Sequence, residues 1–261
     1  MIKTSPAPQI TLPELINCLK AGLLLAISKE CRTYIIIPII VNIIILSVAG
    51  YVLFSYMSAA VYYLFDMFPE FLLFLAYIVI FLLGTTIVFA GFYIFSTVAT
   101  IIASPFYGLL ADKAELILSG KSSDDMSFAE IMKDVPRILA REMRKQMYFL
   151  PRLLGCLIIS VIPGVNIVSP VLWFLLAAFM GSIQYCDYAY DNHKIPFAVM
   201  KQDLSYNLLT NLSFGGIVSV CISIPLLNLI VPPAAVCAGT KIYLEIQKKK
   251  GILEFENSDK Q

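Results

Sequence analysis

Four stretches of the chain contain no Asp, Glu, Lys, Arg or His: Thr33–Phe65, Phe71–Ala111, Leu153–Cys186 and Leu204–Thr240. Each exceeds the roughly 20 apolar residues that an α-helix needs to cross a bilayer. These stretches read as an all-α, polytopic membrane protein. Composition agrees: only 14% of the residues are charged, against about 25% in a soluble domain. The net charge of +1 speaks against a nucleic-acid binder. Cys18, Cys31, Cys156, Cys186, Cys221 and Cys237 form no C-x-x-C pair, and the chain has one histidine. A disulfide framework or a zinc site is therefore not expected, and the cysteines read as small packing residues. The polar N-terminus lacks a cleavable signal pattern, which fits direct insertion.

The blocks are not equivalent. At about 1.5 Å per residue, Tyr34–Phe65 would reach roughly 48 Å, more than a hydrocarbon core of about 30 Å. That helix must tilt, kink or project, and Pro38 sits near its start, where proline costs least. The second runs from Phe71 to about Ala103, where Ser104-Pro105 ends or kinks it. Together they form a long helical hairpin over 34–111, with two full spans joined by the acidic Asp66–Glu70 connection.

The third and fourth blocks are broken in the middle. Ile162-Pro163-Gly164-Val165-Asn166-Ile167-Val168-Ser169-Pro170 and Ile224-Pro225-Leu226-Leu227-Asn228-Leu229-Ile230-Val231-Pro232 share the pattern I-P-x-x-N-[IL]-[VI]-x-P. The flanking arms are short for full spans, so 153–186 and 204–246 read as two re-entrant, partly penetrating helical hairpins. Buried turns of this kind need protein or a watery cavity around them, and paired discontinuous segments point to a transport site. The other reading is two helix pairs with proline turns at a membrane surface.

The remaining segments are polar or interfacial. Residues 1–33 hold the capping box Thr11-x-x-Glu14 with Pro13 in the first turn. Behind it stands an amphipathic helix suited to the membrane surface. Residues 112–152 form a polar insert with eight Lys/Arg and seven Asp/Glu. Within it Gly120–Asp125 is a turn, and Ser127-x-x-Glu130 caps a helix that Pro136 kinks. Residues 247–261 are a polar tail. The basic segments all share one side in this topology, and that side is assigned to the cytoplasm.

Catalytic signatures are missing. H-E-x-x-H and G-x-S-x-G do not occur, and Gly120-Lys121-Ser122 lacks the first glycine of a P-loop. No catalytic residue, cofactor or metal site is assigned; Asp187, Asp191 and His193 read as a satisfied polar cluster at the membrane edge. Lys133, Arg137, Arg141, Arg144 and Lys145 fall on one face of the helix after Ser127. Arg137 and Arg141 are candidates for binding a tetrahedral dianion, because guanidinium donates paired hydrogen bonds. The alternative is neutralisation by Glu130, Asp134 and Glu142 or by lipid headgroups. Arg32 begins the first spanning helix, where backbone N–H groups are free. With Lys29 and Thr33 it is either an oxyanion site or a basic anchor at the headgroups. Asn42, Asn166 and Asn228 stand in apolar surroundings and either line a pathway or satisfy local backbone.

Several stretches resemble the CysZ-type sulfate transporter family. They are Ala103-Ser-Pro-Phe-Tyr-Gly-Leu-Leu-Ala111, Met132-Lys-Asp-Val-Pro-Arg137, Tyr148-Phe-Leu-Pro-Arg152, Pro170-Val-Leu-Trp-Phe174, Ile183-Gln-Tyr-Cys-Asp-Tyr188, Asp191-Asn-His-Lys-Ile-Pro-Phe197 and Ile224-Pro-Leu-Leu-Asn-Leu229. The resemblance implies a multi-pass permease of the bacterial inner membrane that supplies sulfate for cysteine biosynthesis, channel-like or gradient-driven without ATP hydrolysis. It also implies homo-oligomers whose protomers insert in opposite orientations, with sulfate, related oxyanions such as sulfite or thiosulfate, and membrane lipids as the expected partners. The family carries a Gly-hydrophobic-Arg-Arg motif, associated with sulfate binding, before its first long helix. Here Glu30-Cys31-Arg32-Thr33 stands in its place and keeps only Arg32. A carboxylate beside an anion site is unfavourable, so weaker capture is expected there. A second class of function is a non-transporting scaffold that binds lipid.

Overall fold

The computed structural model describes residues 9–67, 73–120, 128–224 and 227–251. Among them all regular structure is helical, as expected of an all-α polytopic membrane protein: α1 (Leu12–Ile27), α2 (Arg32–Met67), α3 (Leu73–Ser119), α4 (Phe128–Val161), α5 (Ser169–Asn192), α6 (Phe197–Tyr206), α7 (Leu208–Ile222) and α8 (Val231–Lys249). The turn at Gly120–Asp125, the cap at Ser127 and the tail beyond Gly251 fall wholly or partly outside the described residues, as does the Asp66–Glu70 connection.

The chain divides into two units, Ile37–Ala103 and the remainder. In the first, α2 and α3 expose Ile43, Tyr51, Phe54, Tyr62, Phe81 and Phe89, among others. Side chains of this kind turned outward suit lipid and not water. Two hydroxyls bond within their own helix: Ser47 donates to the Ile43 carbonyl at 2.8 Å and Thr86 to that of Leu82 at 2.8 Å. Such back-bonding satisfies a polar group where no water is available. Ser104-Pro105 does not end α3, which continues to Ser119. Proline tolerance is higher in membrane helices, where neighbours re-satisfy the freed backbone.

In the second unit α5 is central and packs on α7, α8 and α4, while α1 lies on α8. Small residues set these approaches. A methyl group on Gly215 of α7 would overlap the Ala178 carbonyl of α5, and one on Gly22 would overlap Ala234 and Ala238 of α8. Thus α1 is docked by its narrow face of Leu15, Cys18, Gly22 and Ala26, leaving Leu12, Leu23, Leu24 and Ile27 exposed. At its start Glu14 accepts from the N–H of Thr11 at 2.6 Å and from its hydroxyl at 2.9 Å.

Both I-P-x-x-N segments lie between paired helices and, among their described residues, share the same turn bond. Asn166 N–H bonds to the Ile162 carbonyl at 3.0 Å and Asn228 N–H to that of Ile224 at 3.0 Å. Each then makes a short 3-10 turn, Val165–Val168 and Leu227–Leu229, before a helix with proline in its first turn. Gly164 supplies the left-handed conformation of the first tip, at φ 83°. Across the first hairpin Trp173 donates to the Ser160 hydroxyl at 2.9 Å.

Two arms differ from expectation. Helix α5 spans 24 residues and continues past the charge-free block, because Asp187 and Asp191 find cations on α4. The other hairpin starts later, at Leu208, after a 100° bend between α6 and α7. There Asn207 accepts from Ile10 N–H at 2.8 Å and donates to the Asp203 carbonyl. The described part of the polar stretch 112–152 is likewise the end of α3 and about the first three-quarters of α4, which runs unbroken through Pro136 and Pro151.

Candidate functional site

Arg137, Arg141 and Lys145 recur every four residues on α4 and therefore share a face. Asp187 and Asp191 do the same on α5. The two helices meet along these rows. Arg141 grips Asp187 through Nε at 3.1 Å and Nη2 at 2.6 Å, and donates Nη1 to the Ile195 carbonyl at 2.6 Å. The same Nη1 lies 3.3 Å from Asp191. Arg137 bonds Asp134 at 2.8 Å and Asp191 at 2.5 Å. Lys145 lies 2.6 Å from Glu142 and 3.3 Å from Asp187.

Exposure decreases along the row, from 35% at the Arg137 side chain to 10% at Arg141 and 1% at Lys145. Burial works against the Lys145 ammonium, but Glu142 and Asp187 outweigh it and hold its pKa above the ordinary lysine value. Gln184 donates to Glu142 at 2.9 Å and to the Tyr188 hydroxyl at 2.8 Å. On the far side His193 pairs with Glu115 of α3 at 2.9 Å, and Asn192 donates to the Gly108 carbonyl at 2.8 Å. The network thus binds α3, α4 and α5 together.

This arrangement revises the basic stripe. Lys133 and Arg144 are exposed, while Lys145 and Glu142 are buried. Arg144 precedes Lys145 by one residue, about 100° around the helix, and so leaves the row. Glu142 is not a surface partner, and the Glu130 side chain lies outside the described residues.

The other candidates stand elsewhere. Lys29, Glu30, Arg32 and Thr33 are exposed, whereas Cys31 between them is fully buried. Cys31 packs with Ala111, Ala114, Val236, Cys237 and Tyr188. Arg32 opens the 36-residue α2 and has no carboxylate partner among the described residues. Tyr188 connects the two regions: it packs in the Cys31 cluster, and the Lys145 ammonium lies 4.7 Å from its ring centre. Asn166 and Asn228 are exposed at the hairpin tips. The side chain of Asn42, and Lys121 with Ser122, lie outside the described residues.

Lys145, Glu142 and His193 were named from sequence as stripe, neutralising acid and polar cluster, whereas Gln184 and the pairing of His193 with Glu115 were missed. One signal was available, namely two acids four residues apart on α5 facing two arginines four residues apart on α4.

Comparison with known proteins places this geometry in a family. The model described as sulfate transporter CysZ/etoposide-induced protein 2.4 matches residues 18–233. A protein of Vibrio parahaemolyticus serotype O3:K6 named "Sulfate transporter CysZ" is 45% identical over 224 residues, covering 85% of this chain and 91% of that protein. Relatives of the same name from Vibrio atlanticus and Pectobacterium atrosepticum are 42% and 39% identical, covering 85% and 86% of this chain and 89% and 82% of their own lengths. The chain therefore belongs to the sulfate transporter CysZ/etoposide-induced protein 2.4 family.

Proposed function

We propose that this protein is a sulfate permease of the bacterial inner membrane, acting without ATP hydrolysis and supplying sulfate for cysteine biosynthesis. The relatives' names support the substrate. The charge-free spans support a channel-like or gradient-driven route, since they hold no titratable relay. Arg32 carries the proposal for capture. It is an exposed arginine with no carboxylate partner among the described residues, at the positive dipole end of a long apolar helix in which Tyr34 N–H already bonds the Cys31 carbonyl at 3.1 Å. Buried Cys31 seats this turn, Thr33 offers a hydroxyl and Lys29 adds charge, while Glu30 tempers affinity and favours release. Asn42, Asn166 and Asn228 are proposed as polar positions along the pathway, and homo-oligomers as the working form.

Arg137 and Arg141 enter this reading differently, because their donors already hold carboxylates. Arg137, at the exposed end of the network, is the member that an incoming oxyanion could reach. The test is sulfate flux into proteoliposomes with calorimetric sulfate titration. Arg32→Ala should weaken binding by roughly 1.5–3 kcal/mol, the worth of a hydrogen bond to a charged group. Unchanged binding would move the capture site to Arg137. No flux above empty liposomes across pH 5–8 would end the transporter reading. Competition by sulfite and thiosulfate in the same assay ranks the oxyanions.

A further inference from the structure

A cavity of about 370 Å³ opens between α4, α5 and α6, and none of the residues of the charge network line it. Its lining includes Tyr148, Phe179, Ile183, Lys201, Gln202 and Ser205. Two cations rest on the Tyr148 ring: Arg152 Cζ lies 3.6 Å from its centre and Lys201 Nζ 4.5 Å. Arg152 donates to the Tyr148 carbonyl at 2.5 Å, and neither cation has a carboxylate partner among the described residues. Their neighbours are matched: Arg137, Arg141, Lys145, Lys249 and Lys250 all hold acids. The closest acid in sequence, Asp203, is taken by Lys250 and accepts from the Tyr190 hydroxyl at 3.1 Å.

The position of these two cations matters. Arg152 is the last charge before the third charge-free block, and Lys201 is the last cation before the fourth. Both therefore stand at the rim of the apolar surface. From the cavity that surface continues along α5. Val171, Leu175, Phe179 and Ile183 follow one another at four-residue intervals and share a face. The latter two line the cavity, and the first two are exposed.

We propose that this cavity binds an anionic glycerophospholipid, its phosphate held between Arg152 and Lys201 and an acyl chain laid along Val171, Leu175 and Phe179. Guanidinium takes phosphate oxygens in pairs, and ammonium adds a point charge. Gln202 and Ser205 supply hydrogen bonds for a headgroup hydroxyl. A free tetrahedral oxyanion shares the phosphate chemistry but has no use for the adjoining apolar row. The site is independent of how sulfate crosses the membrane.

Native mass spectrometry of the purified full-length protein, with equimolar phosphatidylglycerol and phosphatidylcholine, tests this. The wild type should retain phosphatidylglycerol in preference. Each of Arg152→Gln and Lys201→Gln should weaken that retention about fivefold, and the double variant roughly 25-fold, from about 1 kcal/mol per cation at an anionic lipid surface. Phosphatidylcholine retention should not change, and calorimetric sulfate affinity should match the wild type. No preference for phosphatidylglycerol in the wild type overturns the proposal, whatever the variants do. So does a double variant that keeps the preference. A double variant that loses sulfate affinity but not lipid assigns the cavity to a free oxyanion and also overturns it.

Discussion

Truncating Arg141 would leave the buried Asp187 carboxylate with Lys145 alone, at 3.3 Å, and Asp191 with Arg137 alone. A fully uncompensated buried charge costs about 3–5 kcal/mol; with Lys145 still beside Asp187, Arg141→Ala should destabilise the purified protein by about 2–3 kcal/mol in thermal melts. Arg137 is more exposed, and Arg137→Ala should cost at most about 1 kcal/mol. Equal losses would mean that the burial gradient along α4 carries no energetic meaning. Arg141→Lys is not a neutral control either, since lysine cannot reproduce the two-nitrogen grip on Asp187. At the other end of the unit, a hydrogen bond from Lys249, helped by Thr11 N–H, holds the Glu14 carboxyl below its ordinary value of 4.5. A depressed carboxyl stabilises the folded state above the unfolded value and loses that contribution as pH falls through the folded one. Amide exchange in α1, corrected for intrinsic rates, should therefore rise between about pH 5 and pH 3. Glu14→Gln should abolish that pH dependence.

Helices were legible in the sequence wherever local chemistry decides them. The Thr11–Glu14 box starts α1, and the I-P-x-x-N repeat marks both tips with the same backbone bond. Of the two outcomes read at Ser104-Pro105, an end is not what forms, since α3 continues to Ser119, and α4 likewise continues through Pro136 and Pro151. The charge network was hidden for a different reason. Its rows lie on separate helices, and composition cannot tell a surface Glu142 from a buried one. The tightest crossing also rests on a distant pair, Gly215 and Ala178. Gly215→Ala should force α7 off α5 and cost about 3 kcal/mol, seen as a drop in melting temperature of about 6–12 °C. Gly84→Ala, with open space around it, should be neutral. If both are neutral, the α5–α7 approach is looser than described.

At the scale of the whole molecule, the outward apolar face of α2 and α3 and the two matched hairpins are what a bilayer has to accommodate. Single cysteines at Val165 and Leu227, in a background without the native cysteines, should react slowly with membrane-impermeant thiol reagents from either side if the tips sit at membrane depth. Rapid labelling of either tip from one side would make it a surface turn. The tips are legible from sequence, but their depth is not, because the repeat specifies a bend and a bend serves equally at an interface or inside.

The docking of α1 on α8 has a consequence for synthesis. The first helix is completed roughly 200 residues before its partner leaves the ribosome, on the order of 10–40 s at usual translation rates. During that interval Gly22 lacks Ala234 and Ala238 to pack against, and the part of the narrow face that α8 covers stays open. A nascent chain arrested before Val231 should therefore expose the Cys18 thiol to labelling, while the released full-length chain, in which Cys18 is fully buried, should protect it. Insertion of the spans and completion of this unit are then separate events, and the second waits for α8.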